Sequence, residues 1–286
     1  MEIETKEKIY FISIYIMSEL EVKPIKSLNL PDDDNDYHKN LPKISRNNGS
    51  LIIIVAPTSS GKTTLINNLL YNKNMWGRNE KRPNGAFDGV YLWSPSIYLD
   101  ESSRFIIQDF IVSDSFKNED LEEIKRNQLL LPKEDRGKLL LVIDDSVGLD
   151  VMKSKSALTY YATRFRHLNC SVICSVQNYR ACNSIVRNNC NCLIMMYGIY
   201  NQKELEKLND EIGDVYRQTL MFCYRKYCNK KFMFLTLYPR EVPARMLLNF
   251  TTEINYKEHV KEAKNFNFTD YESDNDEMII DEEENE

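Results

Sequence analysis

The sequence predicts an α/β fold, a mainly parallel sheet covered by helices on both faces. Leu51–Val55 (L-I-I-I-V) and Leu139–Ile143 (L-L-L-V-I) are unbroken apolar runs, the pattern of strands buried on both sides. Between and after them, apolar residues recur at helical spacing: Leu65, Ile66, Leu69 and Leu70, then Ala157, Leu158, Tyr161, Ala162, Phe165 and Leu168. Short buried strands alternating with such helices require crossover connections, and crossovers make a sheet parallel.

Taken in order, residues 1–49 read as an N-terminal arm or linker. The apolar run Ile9–Met17 is too short to span a membrane and lacks the small-residue cleavage site of a secretory signal. It reads as a strand, or as an upstream extension if synthesis begins at Met17. Pro24, the D-D-D-N-D run from Asp32 and N-N-G at Asn47 mark loosely packed chain.

The globular domain is expected over residues 50–250. Its first strand runs into A-P-T-S-S-G-K-T, a small-residue loop whose Gly61-Lys62-Thr63 opens a helix. The first N–H groups of a helix have no internal partner and carry partial positive charge, which a polyphosphate satisfies. Ala56, Pro57, Thr58, Ser59, Ser60, Gly61, Lys62, Thr63 and Thr64 are therefore the predicted nucleotide cradle. Lys62 would reach the terminal phosphates, and the Thr63 hydroxyl would join a magnesium shell, so ATP and Mg2+ are the expected ligands. Ala56 stands where the G-x-x-x-x-G-K-[ST] pattern has glycine, at little cost unless the position needs positive φ.

A basic loop with Lys73, Arg78, Lys81 and Arg82 around Trp76 reads first as a solvated loop and second as a nucleic-acid contact. Gly89–Trp93 reads as a strand ending at Ser94-Pro95. Residues 101–131 read as two helical pieces, the second from about Asn118 with acidic residues in its first turn. Leu139–Ile143 then ends on Asp144-Asp145, about 80 positions beyond the loop, and resembles a Walker B element. On that resemblance Asp144 holds Mg2+ through water. Asp145 occupies the place where additional-strand P-loop ATPases usually carry a glutamate, one methylene longer, that orients the attacking water.

Residues 151–168 read as an amphipathic helix, with Arg164, Arg166 and His167 off its apolar stripe. The strand Ser171–Ser175 ends on Val176-Gln177-Asn178, which sets an amide where it can sense a γ-phosphate. After I-V-R-N at 185–188 come a strand over Cys192–Tyr197 and a helix from Asn201. That helix carries a capping box (Asn201, Glu204) and the apolar row Leu205, Leu208, Ile212. A second basic cluster, Arg225, Lys226, Lys230 and Lys231, precedes residues 232–238, which are expected to close the sheet. Residues 251–286 read as an acidic, disordered tail.

Composition adds limits. The seven cysteines form no C-x-x-C pair and read as buried, reduced thiols of an intracellular protein, while three histidines argue against a His-rich metal centre. Net charge is −6, but residues 271–286 hold nine acidic residues and no basic one, which leaves the rest at +3. A mildly basic body is compatible with a nucleic-acid partner.

With the Gln177 strand lying between those of the two phosphate motifs, the core reads as RecA-like. The ordered set A-P-T-S-S-G-K-T, W-S-P, L-L-V-I-D-D, R-F-R-H-L-N-C-S-V-I with V-Q-N, and I-V-R-N-N resembles the FtsK–HerA superfamily of DNA-pumping ATPases. Within it, the poxvirus-like and virophage-like genome-packaging ATPases are most similar, over about residues 50–200. The resemblance implies a homo-oligomeric ring, hexameric in expectation, that encircles double-stranded DNA and drives it into a preformed capsid. It implies ATP hydrolysed between subunits with an arginine supplied in trans, for which Arg166 and Arg187 are the candidates. It further implies partners at the capsid vertex or among other virion proteins, no membrane anchor, and residence in the host-cell cytoplasm or a viral factory. A P-loop nucleoside or nucleotide kinase, another DNA translocase or helicase, and a non-catalytic nucleotide-binding scaffold remain alternatives.

Overall fold

A computed structural model describes residues 38–44, 49–99, 103–145 and 156–266, all within one compact unit. The run Ile9–Met17, the acidic stretch from Asp32, residues 151–155 and the tail 271–286 lie outside the described residues. Among the described residues there are nine strands: β1 (Leu51–Val55), β2 (Gly89–Trp93), β3 (Ile111–Ser113), β4 (Leu139–Ile143), β5 (Cys170–Val176), β6 (Cys192–Met196), β7 (Phe234–Tyr238), β8 (Arg245–Leu248) and β9 (Thr252–Glu253). They form one sheet in the order β3-β2-β4-β5-β1-β6-β7-β8-β9. Pairing is parallel from β3 to β6 and antiparallel from β6 to β9.

The helices are α1 (Lys62–Tyr71), α2 (Arg104–Asp109), α3 (Asn118–Leu130), α4 (Ala157–Arg164), α5 (Ser184–Asn189), α6 (Gln202–Ile212), α7 (Leu220–Tyr227) and α8 (Val260–Lys264). Alternation along β1 sends Leu51, Ile53 and Val55 into a core with α3, α4, α6 and α7, and Ile52 and Ile54 into a second core with α1 and α2. Both faces of the central strands are thus dry, which is why their sequences show no polar alternation. The expected apolar residues Ala157, Leu158, Tyr161, Ala162, Phe165 and Leu168 are all buried, but α4 ends at Arg164, so Phe165 and Leu168 pack from the turn that follows rather than from the expected helix.

Several expectations are corrected. The sheet does not close at residues 232–238: β7 starts at Phe234, and β8 and β9 extend the sheet beyond it. β3, three residues long and half-exposed, interrupts the predicted helical stretch 101–131. The Asn201 capping box does not form. Glu204 is buried and instead accepts from the Tyr179 N–H at 2.6 Å, satisfying a distant amide that the core would otherwise leave unpaired. Trp76 makes no nucleic-acid surface, because it is 1% exposed and packs edge-on against Phe87 at 5.6 Å.

The structured chain also passes both expected domain ends. Leu41 and Ile44 are buried among α1 and the sheet, and Asn40 donates to the Phe250 carbonyl at 2.9 Å. Beyond residue 250, Ile254 and Tyr256 are buried and α8 follows, so residues 251–266 are not the start of a disordered tail. All seven cysteines are free and buried, and burial pushes the Cys170 and Cys190 thiols up to about 12, the profile of inert packing groups. No helix among the described residues is long and apolar enough to cross a membrane.

Ile44 lies in the segment read as a linker, yet it is 1% exposed. Ile44→Ala is expected to destabilise the protein by about 2–5 kcal/mol in urea denaturation, the cost of a core cavity; an unchanged midpoint would mean that the segment contributes nothing to the fold.

Candidate nucleotide-binding site

The strand order brings the C-terminal ends of β1, β5 and β4 side by side, since all three are parallel and adjacent. Each ends on a residue singled out in the sequence. β1 runs into Ala56 and the loop, β4 into Asp144-Asp145, and β5 into Gln177. Backbone bonds extend the pairing past the strands: Ala56 N–H donates to Val176 O at 2.9 Å, and Asp145 N–H donates to Ser175 O at 3.2 Å.

The loop from Ala56 to Gly61 turns sharply between β1 and α1. Ala56 is buried and is not among the residues with positive φ, so the missing first glycine carries no strain. The left-handed positions fall on Ser59 (φ 61°) and Gly61 (φ 96°) instead. Ser60 Oγ donates to Pro57 O at 2.7 Å and braces the turn from inside. Gly61 is the N-cap of α1, with no side-chain cap and no acidic residue in the first turn, so no side chain of its own answers the helix dipole. Pro57, Thr58, Ser59 and residues 61–64 line a cavity of about 430 Å³.

Asp145 lies across this cavity, and one of its oxygens serves two partners. Lys62 Nζ approaches Asp145 Oδ1 at 3.2 Å, and Gln177 Nε2 donates to the same oxygen at 3.0 Å. Asp145 sits at φ 48°, a region that aspartate tolerates better than most residues. Asp144, next to it, is buried beneath the cavity and accepts from Ser94 Oγ at 3.3 Å. Burial pushes the Asp144 carboxyl above its ordinary range; the Ser175 hydroxyl and the Lys62 charge oppose that shift and the Asp145 charge adds to it.

Among the described residues no group of three or more His, Cys, Asp or Glu side chains could enclose a metal. Thr63 lines the cavity and Asp144 is buried at the end of β4, and both carry oxygen donors, the ligand type that Mg2+ takes alongside water and phosphate.

The two arginines lie apart from this cluster. Arg166 is exposed, makes no ion pair with a described residue, and lines a small cavity with Gly49, Ser50 and Asn191 at the opposite edge of the sheet. β5, seven residues long, separates it from Gln177, a span on the order of 20 Å. Arg187 is tied to its own chain: Nε and Nη2 each donate to Glu211 at 3.0 Å, and Nη1 donates to Cys182 O. The basic cluster at 225–231 also divides. Lys226 pairs with Glu262 at 3.2 Å, Arg225 donates to Tyr200 O at 3.1 Å, and Lys231 reaches the phosphate-side cavity with Phe232.

Ser94, Lys231 and Phe232 were not assigned to the site from sequence. The W-S-P motif flagged Ser94 only as a likeness, and the last two arrive from a turn whose path no local pattern encodes.

No family model and no curated protein matches the chain. Among solved structures, the AMP complex of the genome-packaging NTPase B204 from Sulfolobus turreted icosahedral virus 2 is similar at 18% identity, over 70% of this chain and 96% of that one, with a TM-score of 0.51. The DNA-packaging ATPase B204 from Sulfolobus turreted icosahedral virus is similar at 17% identity, over 70% and 97%, with a TM-score of 0.49. The pCW3 conjugation coupling protein TcpA, a monomer form with ATPγS, is similar at 13% identity, over 66% and 57%, with a TM-score of 0.43. At these identities the likeness is one of fold, and the first of the three carries it: a RecA-like P-loop fold.

A buried carboxyl with a raised pKa favours the folded chain while protonated, and that contribution is lost as the pH rises through the raised value. Burial of the Asp144 carboxyl therefore costs the folded chain stability as the pH rises. Asp144→Asn is expected to raise the thermal midpoint at neutral pH, by about 2–4 °C for each kcal/mol relieved, with the gain shrinking as the pH falls. A lower midpoint for the variant at neutral pH, read by scanning calorimetry, would contradict this.

Proposed function

We propose that this chain is an ATP-driven double-stranded DNA translocase that packages a viral genome into a preformed capsid, hydrolysing ATP at the subunit interfaces of a ring. The observation that carries the ATPase part is the shared Asp145 oxygen, which ties the phosphate-loop lysine to the amide at the tip of the intervening strand. Packaging is supported by the ordered motifs that resemble the FtsK–HerA superfamily, and by a fold held in common with a chain described as a genome-packaging NTPase.

The residues divide the work. Backbone N–H groups of the loop and α1 bind the phosphates, and Lys62 leaves Asp145 to reach the terminal one. That exchange frees the Asp145 carboxylate to accept a proton from the attacking water. Gln177, already bonded to Asp145, registers whether the γ-phosphate is present. Thr63 and Asp144 are the residues that would hold Mg2+, which would supply charge neutralisation on the phosphate oxygens. Arg166 comes from the neighbouring subunit. Its exposure and its place at the far edge support this role, whereas Arg187 is engaged by Glu211 and Cys182 within its own chain.

Steady-state hydrolysis with and without linear duplex DNA tests the proposal. DNA is expected to stimulate the rate, and Lys62→Ala to lower it by about 100-fold or more; a rate indifferent to DNA in an assembled ring would overturn the translocase reading. Arg166→Ala is expected to cost about 10³ in turnover, and mixing it with Lys62→Ala to restore activity at hybrid interfaces that hold one intact site. Failure of the mixture to recover, with Arg187→Ala mixtures recovering instead, would move the trans role to Arg187.

A further inference from the structure

Phe232 is a bulky aromatic residue held at φ 69°, a region that sterics make costly for such side chains. Its ring is 52% exposed and belongs to neither hydrophobic core, so packing does not demand the conformation. The turn is pinned from both sides: Met233 N–H donates to Lys230 O at 3.1 Å, and Tyr197 N–H donates to Met233 O at 2.8 Å. This sets the ring against Gly61, where an added Cβ would lie 2.5 Å from Phe232 Cδ1 and 2.7 Å from Cε1.

Phe232 is therefore a wall common to two neighbouring cavities. One is the phosphate-side cavity. The other is an apolar groove of about 270 Å³, walled by Leu65, Met75, Met196, Phe234 and Phe250. Gly61 and Thr64 border both. Two polar atoms at the groove's rim are held within the chain: Asn68 Nδ2 donates to Thr64 O at 2.9 Å and Asn249 Oδ1 accepts from Phe234 N–H at 3.1 Å. An apolar slot that opens beside a phosphate cradle, flanked by an exposed ring, suits a planar heterocycle attached to the phosphates.

We infer that Phe232 and this groove form the nucleobase subsite, with the ring as its stacking face. Lys231, whose ammonium lies 5.6 Å from the Phe232 ring centroid, completes the phosphate cradle from the same turn. The backbone strain at Phe232 is what points these two neighbouring residues to the two ends of one ligand. The inference rests on the reading of residues 56–64 as a phosphate cradle.

Calorimetric titration of the full chain with magnesium ATP and with magnesium tripolyphosphate separates the two ideas, because tripolyphosphate has no base. Phe232→Ala is expected to weaken ATP binding by about fivefold or more, the usual loss when a base loses its stacking partner, and to weaken tripolyphosphate binding by clearly less. Phe232→Trp is expected to keep ATP affinity, and Lys231→Gln to weaken both ligands. Unchanged ATP affinity in Phe232→Ala, or equal weakening of both ligands, would overturn the subsite while the cradle stands. A wild-type chain that binds neither ligand would overturn the cradle and the subsite together.

Discussion

One carboxylate oxygen, Asp145 Oδ1, joins three neighbouring strand ends. Lys62 reaches it from the loop after β1, and Gln177 from the end of β5, while Asp145 itself follows β4. This junction exists only because β5 lies between β1 and β4 with all three parallel. An antiparallel neighbour would end at the opposite edge, and a different order would put another strand's width, about 4.8 Å, between the partners. The register is correspondingly tight: Val55 pairs with Val176 and Ile143 with Cys174, so the residue after each strand falls within hydrogen-bonding reach of the next.

That edge is costly to maintain. Ser59 and Asp145 occupy left-handed backbone positions, and Asp144 is buried as a carboxyl whose charged form burial disfavours. The cost is offset beneath it. Every residue of β1, β5 and β6 is buried, and their side chains feed two cores on opposite faces of the sheet. A ligand that brings phosphate oxygens and a divalent cation would convert much of the expense into binding, since it supplies partners for the unmatched helix N–H groups and for the buried carboxylate.

The parts legible in the sequence were those whose physics is local. β1 and β4 begin and end where their apolar runs do, because strands with both faces packed favour unbroken apolar sequence. The strand–loop–helix unit at residues 51–71 was legible because its apolar strand, its small-residue loop and the helical spacing after Gly61 are all local. What stayed hidden depended on distant chain. β3, with three residues, is too short to show a period, and it exists because β2 offers it an edge. Glu204 looked like a capping residue, but the Tyr179 amide, twenty-five positions away, holds it instead. Trp76 stood among charges in the sequence and is nonetheless core, since the loop folds back beneath it onto Phe87. Phe232 read as the first residue of a strand, and the turn that lifts it out of β7 is set by bonds to Tyr197 on the β6 side.

The antiparallel extension beyond β6 explains why the site has a second side at all. A parallel sheet ending at β6 would present the loop and the tips of β1, β5 and β4 to open solvent on that flank. Because β7 returns antiparallel to β6, the turn before it lies at the same edge as the phosphate loop, and this delivers Lys231 and Phe232 there. β8 then pairs with β7, and the turn after it contributes Asn249, Phe250 and Thr251 to the apolar groove. The phosphate end is thus made by parallel strand ends and a helix start, whereas the groove beside it is walled largely by the antiparallel strands and their turns. The two ends are built from different parts of the chain, so the motif that fixes phosphate chemistry carries no information about the other end. Substitutions at Phe232 and Thr251, which line the groove but belong to neither core, are placed to alter what fits it while the parallel core keeps its geometry.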